Sequence, residues 1–429
     1  MTLHYSLAGI DVIKHHFSLA LNYNEPKAEQ ITVFARELVA KEHRNANLPF
    51  LVYFQGGPGF AAQRPIDNSG WIKRALTQFR VLLLDQRGTG LSTPVNYLSL
   101  AHLTPREQAD YLSHFRADNI INDAIAIKKK LSPLQPWSIL GQSFGGFCVF
   151  HYLCRAPEDL AQAFITGGIP PINSSPLEVY QHTFARVKSK NEAFFKRFAD
   201  AQTLISELTA YISENPVILA SGEQLSIEML QSLGIHLGME NGPEEVYYLL
   251  EQALINTASG KQINPLFLTQ FSHMLDYNTN PLFAILHEAI YCQQLSSNWA
   301  AEQIRSNLDE FQYQPDKPFL FTGEMIFPWF FEQFNNLMPL KDCAGLLATK
   351  TDWPMLYDLS VLNNNKVPVA AAIYSEDMYV DMNLSLNTAK QVTNLQYWLT
   401  SQYEHNGIRI DGEVILDKLI ALNAGTCLR

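Results

Sequence analysis

Trp137-Ser-Ile-Leu-Gly-Gln-Ser143-Phe-Gly-Gly-Phe147 carries three structural signals in direct succession. Trp137 to Leu140 is a short apolar run and reads as a buried strand. Gly141-Gln142-Ser143-Phe144-Gly145 fits the pattern G-x-S-x-G. The apolar residues from Phe147 to Cys154 have helical potential. Strand, tight glycine turn and helix together form the context in which a serine is raised onto a sharp elbow at the top of a sheet. Glycines flank Ser143 because side chains there would collide across the turn. The geometry exposes the serine hydroxyl and leaves the backbone N–H of the next residue free to hold an oxyanion.

Working outward, the same alternation of strand and helix extends in both directions. Phe50-Leu-Val-Tyr-Phe54 and Arg80-Val-Leu-Leu-Leu-Asp85 are continuous apolar runs, as expected of strands buried on both faces. Gln55-Gly-Gly-Pro-Gly-Phe60 follows the first and Gln86-Arg-Gly-Thr-Gly-Leu-Ser92 the second. Asp118 to Leu131 places Ile120, Ile121, Ala124, Ile127 and Leu131 on one helical face. Ala161-Gln-Ala-Phe-Ile-Thr166 is another strand, ended by Gly167-Gly168. This order implies an α/β fold, a mainly parallel sheet flanked by helices. Ahead of it, His16 to Tyr23 and Gln30 to Ala40 alternate around a turn at Asn24-Glu-Pro26, which predicts an antiparallel pair at a sheet edge.

Past Pro170-Pro171 the texture changes. From about residue 174 to about 345 the chain reads as helical and rich in aromatic side chains, with examples at Leu177 to Phe198, Pro243 to Ile255 and Asn280 to Gln293. The alternating pattern then returns with a strand at Val367 to Tyr374, ending in Ser375-Glu-Asp377. A helix from Asn387 to Leu399 and a loop at Tyr403-Glu-His-Asn-Gly407 follow. The expected organisation is a catalytic domain of residues 1–173 and 346–429, interrupted by a helical cap domain of residues 174–345.

Composition narrows the function classes. The 429 residues are 47% hydrophobic and 17% charged, enough apolar material for a large core. A net charge of −11 argues against nucleic acid or an anionic membrane as the main partner. The five cysteines, Cys148, Cys154, Cys292, Cys343 and Cys427, show no C-x-x-C pair and no metal-type spacing. Reduced thiols fit a cytoplasmic location. Met1 to Ile10 lacks the basic start and apolar centre of a signal peptide. No apolar run is long enough for a membrane span.

A serine hydroxyl needs a base to become a nucleophile, usually a histidine held by a carboxylate. On a sheet with this elbow the chain order is serine, acid, histidine. Of the twelve histidines only His405 lies beyond residue 287, so a late carboxylate must pair with it. Asp377 stands directly after the Val367–Tyr374 strand. Glu376 and Asp381 are its rivals for the acid role. The oxyanion would be held by the N–H of Phe144 and by a second donor from the glycine loop after Phe54. Gly57 suits that position, since glycine lets the substrate oxygen come close to the backbone. Each such donor contributes roughly 10²–10³ in turnover. Asp85 and Arg87 read as structural, fixing the glycine turn that they begin. The chemistry calls for no cofactor and no metal.

Gly56-Gly-Pro-Gly59, Asp85-Gln-Arg-Gly-Thr-Gly90 with Ser92, and Gly141-Gln-Ser-Phe-Gly-Gly146 together resemble the proline iminopeptidases, serine peptidases of the α/β-hydrolase fold. His287-Glu-Ala-Ile-Tyr291, Phe321-Thr-Gly-Glu-Met-Ile-Phe-Pro328, Glu376-Asp-Met-Tyr-Val380 and Tyr403-Glu-His-Asn-Gly407 resemble the larger subgroup of that family. Many relatives carry histidine where this chain has Gln55. The resemblance implies release of an N-terminal residue, preferably proline, from short peptides with a free N-terminus. It favours Asp377 as the acid. It makes Glu288 the residue that holds the substrate's cationic imino group, with Glu324 as a second candidate. A carboxylate there would select a chain end over internal bonds, which carry no such charge. Phe283, Tyr291, Phe327 and Trp329 could supply apolar walls for the pyrrolidine ring.

The triad would serve an esterase, lactonase or amidase equally well, so Ser143 alone does not name the substrate. A non-catalytic binding protein on this scaffold would be expected to have lost a triad member, and Ser143, Asp377 and His405 are all present. Ser143→Ala should abolish cleavage of a prolyl arylamide and labelling by a serine-directed fluorophosphonate, with an unchanged circular dichroism spectrum. Retained cleavage would overturn the mechanism.

Overall fold

A computed structural model of the protein describes residues 3–427; residues 1, 2, 428 and 429 of the expected catalytic domain lie outside the described residues. Its strands, in chain order, are β1 (Leu3–Leu7), β2 (Ile10–Ala20), β3 (Gln30–Ala40), β4 (Phe50–Phe54), β5 (Arg80–Asp85), β6 (Trp137–Gln142), β7 (Leu160–Thr166), β8 (Leu254–Thr257), β9 (Gly260–Ile263), β10 (Val369–Tyr374) and β11 (Leu395–Thr400). Nine of them form one sheet in the order β1-β2-β3-β5-β4-β6-β7-β10-β11. β1, β2 and β3 are antiparallel, and β3 joins β5 antiparallel. From β5 to β11 every pairing is parallel.

The central strands are mainly apolar because helices cover both faces, and the period-2 alternation of a strand sorts their side chains into two cores. Val52, Phe54, Leu82, Leu84 and Ile139 enter one core. Leu51, Tyr53, Val81, Leu83 and Leu140 enter the other. Helices Ala117–Leu131 and Phe144–Arg155 cover the first face. The second lies under helices Gly70–Leu76 and Gly412–Asn423, through Trp71, Ile72, Leu416 and Leu419.

Between β7 and β10 the chain leaves this sheet. It forms a series of helices, from Pro176–Arg197 to Lys341–Ala348, and the small antiparallel pair β8–β9. The first core runs on into this excursion through Val179, Phe184, Val187 and Phe194. Asn191 ties it together internally: its amide donates to the Phe321 carbonyl (3.0 Å) and accepts from the Phe321 N–H (2.8 Å). Arg116 reaches in from below, donating to the carbonyls of Ala289 (2.9 Å), Cys292 (2.7 Å) and Pro354 (2.9 Å).

Four sequence expectations need correcting. The first long strand is Ile10–Ala20, beginning earlier than His16 and paired with an unforeseen β1. The helix expected over Pro243 to Ile255 ends at Glu251, and the following residues form β8. Asn280 to Gln293 is not one helix. It breaks after Leu286 into a 3₁₀ turn, Glu288–Tyr291. The helix expected from Asn387 to Leu399 is instead a shorter helix, Met382–Ala389, followed by β11. Asn394 takes a left-handed backbone (φ 60°) that stops any helix there. β11 is a half-exposed edge strand, so its mixed composition mimics an amphipathic helix. Among the described residues no helix is long and apolar enough to cross a membrane.

The turn after β5 is held by two ion pairs. Arg64 grips Asp85 through both guanidinium arms at 2.6 Å each, and Arg87 pairs with Asp123 in full burial at 2.8 and 2.6 Å. Arg87 also donates to the carbonyls of Leu21 and His114. Removing one partner strands the other charge in the core. Asp123→Ala should therefore lower stability by about 3–5 kcal/mol in urea unfolding. A loss below about 1 kcal/mol would show that solvent reaches this pair.

Candidate active site

The elbow is built as its glycines require. Ser143 lies between β6 and helix Phe144–Arg155 at φ 55°, ψ −127°, a conformation that costs a non-glycine residue roughly 1–3 kcal/mol. The Ser143 N–H donates to the Thr166 carbonyl (3.0 Å), and its carbonyl accepts from Gly146 (2.7 Å). A Cβ at Gly141 would lie 2.3 Å from the Gly145 carbonyl oxygen, and one at Gly145 would lie 2.0 Å from that of Phe54. Both positions exclude side chains because backbone meets backbone there.

Asp377 and His405 come together at the same edge of the sheet. Asp377, just past β10, accepts from His405 Nδ1 at 2.7 Å, and both residues are buried. The other Asp377 oxygen accepts from the N–H groups of Tyr379 (2.8 Å) and Val380 (3.0 Å), which fixes the carboxylate and so the imidazole tautomer. His405 Nε2 then carries the lone pair, and the Gln142 amide nitrogen lies 3.3 Å from it. The rival acids are occupied elsewhere. Glu376 pairs with Arg186 at 2.8 Å, and Asp381 caps the helix Met382–Ala389 through the Leu384 N–H (3.0 Å).

The glycine loop after β4 reaches the same point. A Cβ on Gly56 would lie 2.8 Å from Ser143 Cβ, so the loop passes directly beside the serine. Gly57 has φ 129°, a backbone that suits only glycine. Phe144 opens the helix, where a backbone N–H has no preceding carbonyl to bond. Gln55 anchors the loop: its backbone carbonyl accepts from the Gln86 amide (3.0 Å). With the side-chain amide turned oxygen-inward, it accepts from the Gly56 N–H (3.2 Å).

A cavity of about 440 Å³ lies over these groups, in the size range of small-ligand sites. Ser143, His405, Gln55 and Gly57 line it from the sheet side, and Tyr277, Phe283 and Glu324 from the excursion above. Of the aromatic residues considered for its walls, Phe283 lines it. Tyr291 packs edge-on against Phe147 and Tyr180, and Phe327 and Trp329 stack in the core of the excursion.

The two glutamates sit differently. Glu288 is buried on its 3₁₀ turn and does not line the cavity. Its carboxylate accepts from the N–H groups of Ala300 (3.1 Å) and Ala301 (2.9 Å), opening the helix Ala300–Arg305. Burial raises its pKa, opposed by those N–H groups. Glu324, by contrast, lines the cavity and is half-buried. Burial, reinforced by the nearby Asp377 charge, pushes Glu324 well above the usual carboxylate range.

Two positioning contacts were not legible beforehand. The Tyr379 ring packs 4.5 Å from the His405 ring, and its hydroxyl donates to the Ile235 carbonyl. The His405 backbone N–H donates to the Gly238 carbonyl (3.2 Å). Residues 235–238 of the excursion therefore hold the imidazole from above. Only the tyrosine inside Glu376-Asp-Met-Tyr-Val380 hinted at this. Asp377→Asn should lower kcat on a prolyl arylamide by about 10³–10⁴. Glu376→Gln and Asp381→Asn should each stay within a few-fold of the unsubstituted enzyme, and a larger loss at either would reassign the acid.

Comparison with known proteins agrees with this geometry. Residues 49–214 match the family described as the alpha/beta hydrolase fold. A proline iminopeptidase from Aeromonas sobria is 53% identical over 422 residues, spanning 98% of each chain. Proline iminopeptidase aneH from Aspergillus aculeatus is 33% identical over 419 residues, spanning 95% of this chain and 92% of its own. A solved proline iminopeptidase from Mycobacterium smegmatis aligns with 96% of this chain at 13% identity and a TM-score of 0.45, too distant to add to the assignment. With a full-length relative at 53% identity, the chain belongs to the proline iminopeptidase family of the α/β-hydrolase fold.

Proposed function

We propose that this protein is a serine aminopeptidase that releases N-terminal residues, preferably proline, from short peptides. The observation that carries this reading is that Glu324 lines the same cavity as Ser143 and His405. A carboxyl group opposite the nucleophile gives the substrate's cationic imino group a partner, and a cation in turn favours the ionised form of that acid. Glu324 is the nearer anchor. Glu288 stands behind as a second carboxylate, and both act on the buried Tyr180 and Tyr291. The Glu288 oxygens are engaged by the N–H groups of Ala300, Ala301 and Trp299 and by the Ser297 side chain.

In this scheme Ser143 attacks the carbonyl of the first residue while His405 takes its proton. Asp377 orients the ring and stabilises the imidazolium. The N–H groups of Gly57 and Phe144 hold the oxyanion. His405 returns the proton to the leaving amine, and a water activated by the same histidine frees the acyl group. No cofactor or metal enters these steps. Residues 174–345 act as the cap domain that closes over the sheet and carries the amine anchor. The buried, unbridged thiols of Cys148, Cys292 and Cys343 support a cytoplasmic location.

The unsubstituted enzyme should cleave a prolyl arylamide and leave its N-acylated counterpart essentially untouched. Glu324→Gln should lower kcat/KM on the free substrate roughly 10- to 100-fold, mainly through KM. Equal cleavage of the N-acylated substrate would favour a general amidase or esterase. A larger loss from Glu288→Gln than from Glu324→Gln would return the anchor to Glu288.

A further inference from the structure

The acid and the base of the site are each preceded in the chain by a glutamate, and one helix grips both. Glu376 stands directly before Asp377, and Glu404 directly before His405. The helix Pro176–Arg197, the first of the excursion, passes beside both loops. Lys190 Nζ donates to Glu404 Oε1 at 2.5 Å. Arg186 donates to Glu376 Oε2 (2.8 Å) and to the Ser375 carbonyl (3.1 Å). His182 Nδ1 lies 3.4 Å from Asp381 Oδ1, at the end of the acid loop. These three residues are four apart, so they share one face of the helix and rise about 6 Å per step. Neighbouring turns of one rod therefore hold the residue before the acid and the residue before the base.

The two grips differ in shelter. The Lys190 side chain is 12% exposed and that of Glu404 27%, whereas Glu376 is 53% exposed. Water screens an exposed ion pair, so Lys190–Glu404 is the stronger constraint. Among the described residues the second Glu404 oxygen is buried without a hydrogen-bond partner, which leaves Lys190 to offset the carboxylate. A second acid meets the same loop. Glu240 Oε2 accepts from the Glu404 backbone N–H (3.2 Å), and the Glu240 N–H donates to Asn406 Oδ1 (2.9 Å). Repulsion between Glu240 and Glu404 acts across the bonds that seat His405 on residues 238–240, and the Lys190 charge cancels it.

We propose that Lys190 is a positioning residue for the reaction: through Glu404 it seats the His405 loop, and with Arg186, one turn earlier, it sets the spacing of base and acid. The inference rests on the triad of the reading above. It gives the excursion a part in the chemical step itself, separate from substrate recognition.

The test separates catalysis per site from the amount of folded enzyme. Active sites are titrated with a fluorophosphonate, and turnover of a prolyl arylamide is expressed per titrated serine. Lys190→Met should lower kcat per site about 10- to 100-fold with KM within about twofold, since a small displacement of a catalytic group has effects of this size. It should slow fluorophosphonate labelling by a similar factor. The reagent carries no amine, so a defect in amine binding would not change its rate. Lys190→Arg should keep most of the activity. Glu404→Ala leaves no buried carboxylate unpaired and should show the same kind of loss. The double variant should be no worse than the less active single one, because both remove one contact. Arg186→Met, whose carboxylate partner is exposed, should cost a few-fold. Lys188→Met, on the same helix but paired with the exposed Glu310 at 2.8 Å, should leave both rates unchanged.

Unsubstituted rates per site in Lys190→Met or Glu404→Ala overturn the proposal, as does a double variant whose loss is the product of the single losses. Fewer titratable sites with normal turnover at each would assign Lys190 to stability alone and overturn it too. A rise in KM at constant kcat would do the same. An unsubstituted enzyme that is never labelled overturns the triad and this inference with it. Labelling without prolyl cleavage overturns the aminopeptidase reading, and the labelling rates of the variants then decide this inference by themselves.

Discussion

The backbone of Ser143, held at φ 55° and ψ −127°, is the constraint on which the rest of the molecule depends. A non-glycine residue enters that conformation only when its surroundings outweigh the cost. Here they do so by close backbone packing. The helix after Ser143 approaches β6 so closely that Gly141 has no room for a Cβ, and approaches β4 so closely that Gly145 has none, and Thr166 at the end of β7 accepts the serine N–H. These contacts exist only if β4, β6 and β7 are already parallel neighbours, as the sheet makes them. The apolar cores on the two faces of the sheet thus hold the strain that presents the hydroxyl.

The excursion between β7 and β10 adds what the sheet cannot. Ile235 and Gly238 hold Tyr379 and His405 from above, so the base is positioned by both parts of the chain. Arg116, from the sheet side, fixes the turn that contains Glu288, and Asn191 fixes the segment leading to Glu324. Two carboxyl groups are thereby brought into a region where burial opposes their ionisation. That cost is justified chemically if a cation arrives to offset it, which is what the proposed substrate supplies.

Legibility followed the range of the interactions. The strands β4, β5, β6, β7 and β10 could be read because burial on both faces leaves short, mainly apolar runs. The elbow could be read because its glycines are demanded by neighbours a few residues away. β11 could not, since an edge strand with mixed exposure has the same composition as an amphipathic helix, and Asn394 decides between them through one backbone angle. The break after Leu286 was hidden for a similar reason. His287 to Tyr291 is apolar enough to continue the helix, but the chain tightens there into a 3₁₀ turn, whose Ala289 carbonyl and the Cys292 carbonyl after it also accept from the Arg116 guanidinium.

The amino-acid sequence by itself determined the class of fold, the serine on its elbow and the histidine that has no downstream rival. Each depends on local pattern or on chain order, which a linear reading preserves. Tertiary structure decided which carboxylate meets His405, because Glu376, Asp377 and Asp381 lie within a single turn region and differ only in what reaches them: Arg186, the imidazole, or a helix end. It also decided which glutamate faces the cavity. Glu288 and Glu324 stand on separate segments, and the helix that begins at Ala300 claims the first and leaves the second open. Competition among groups far apart in the chain is settled by the distances at which folding places them, and no spacing in the sequence encodes those distances.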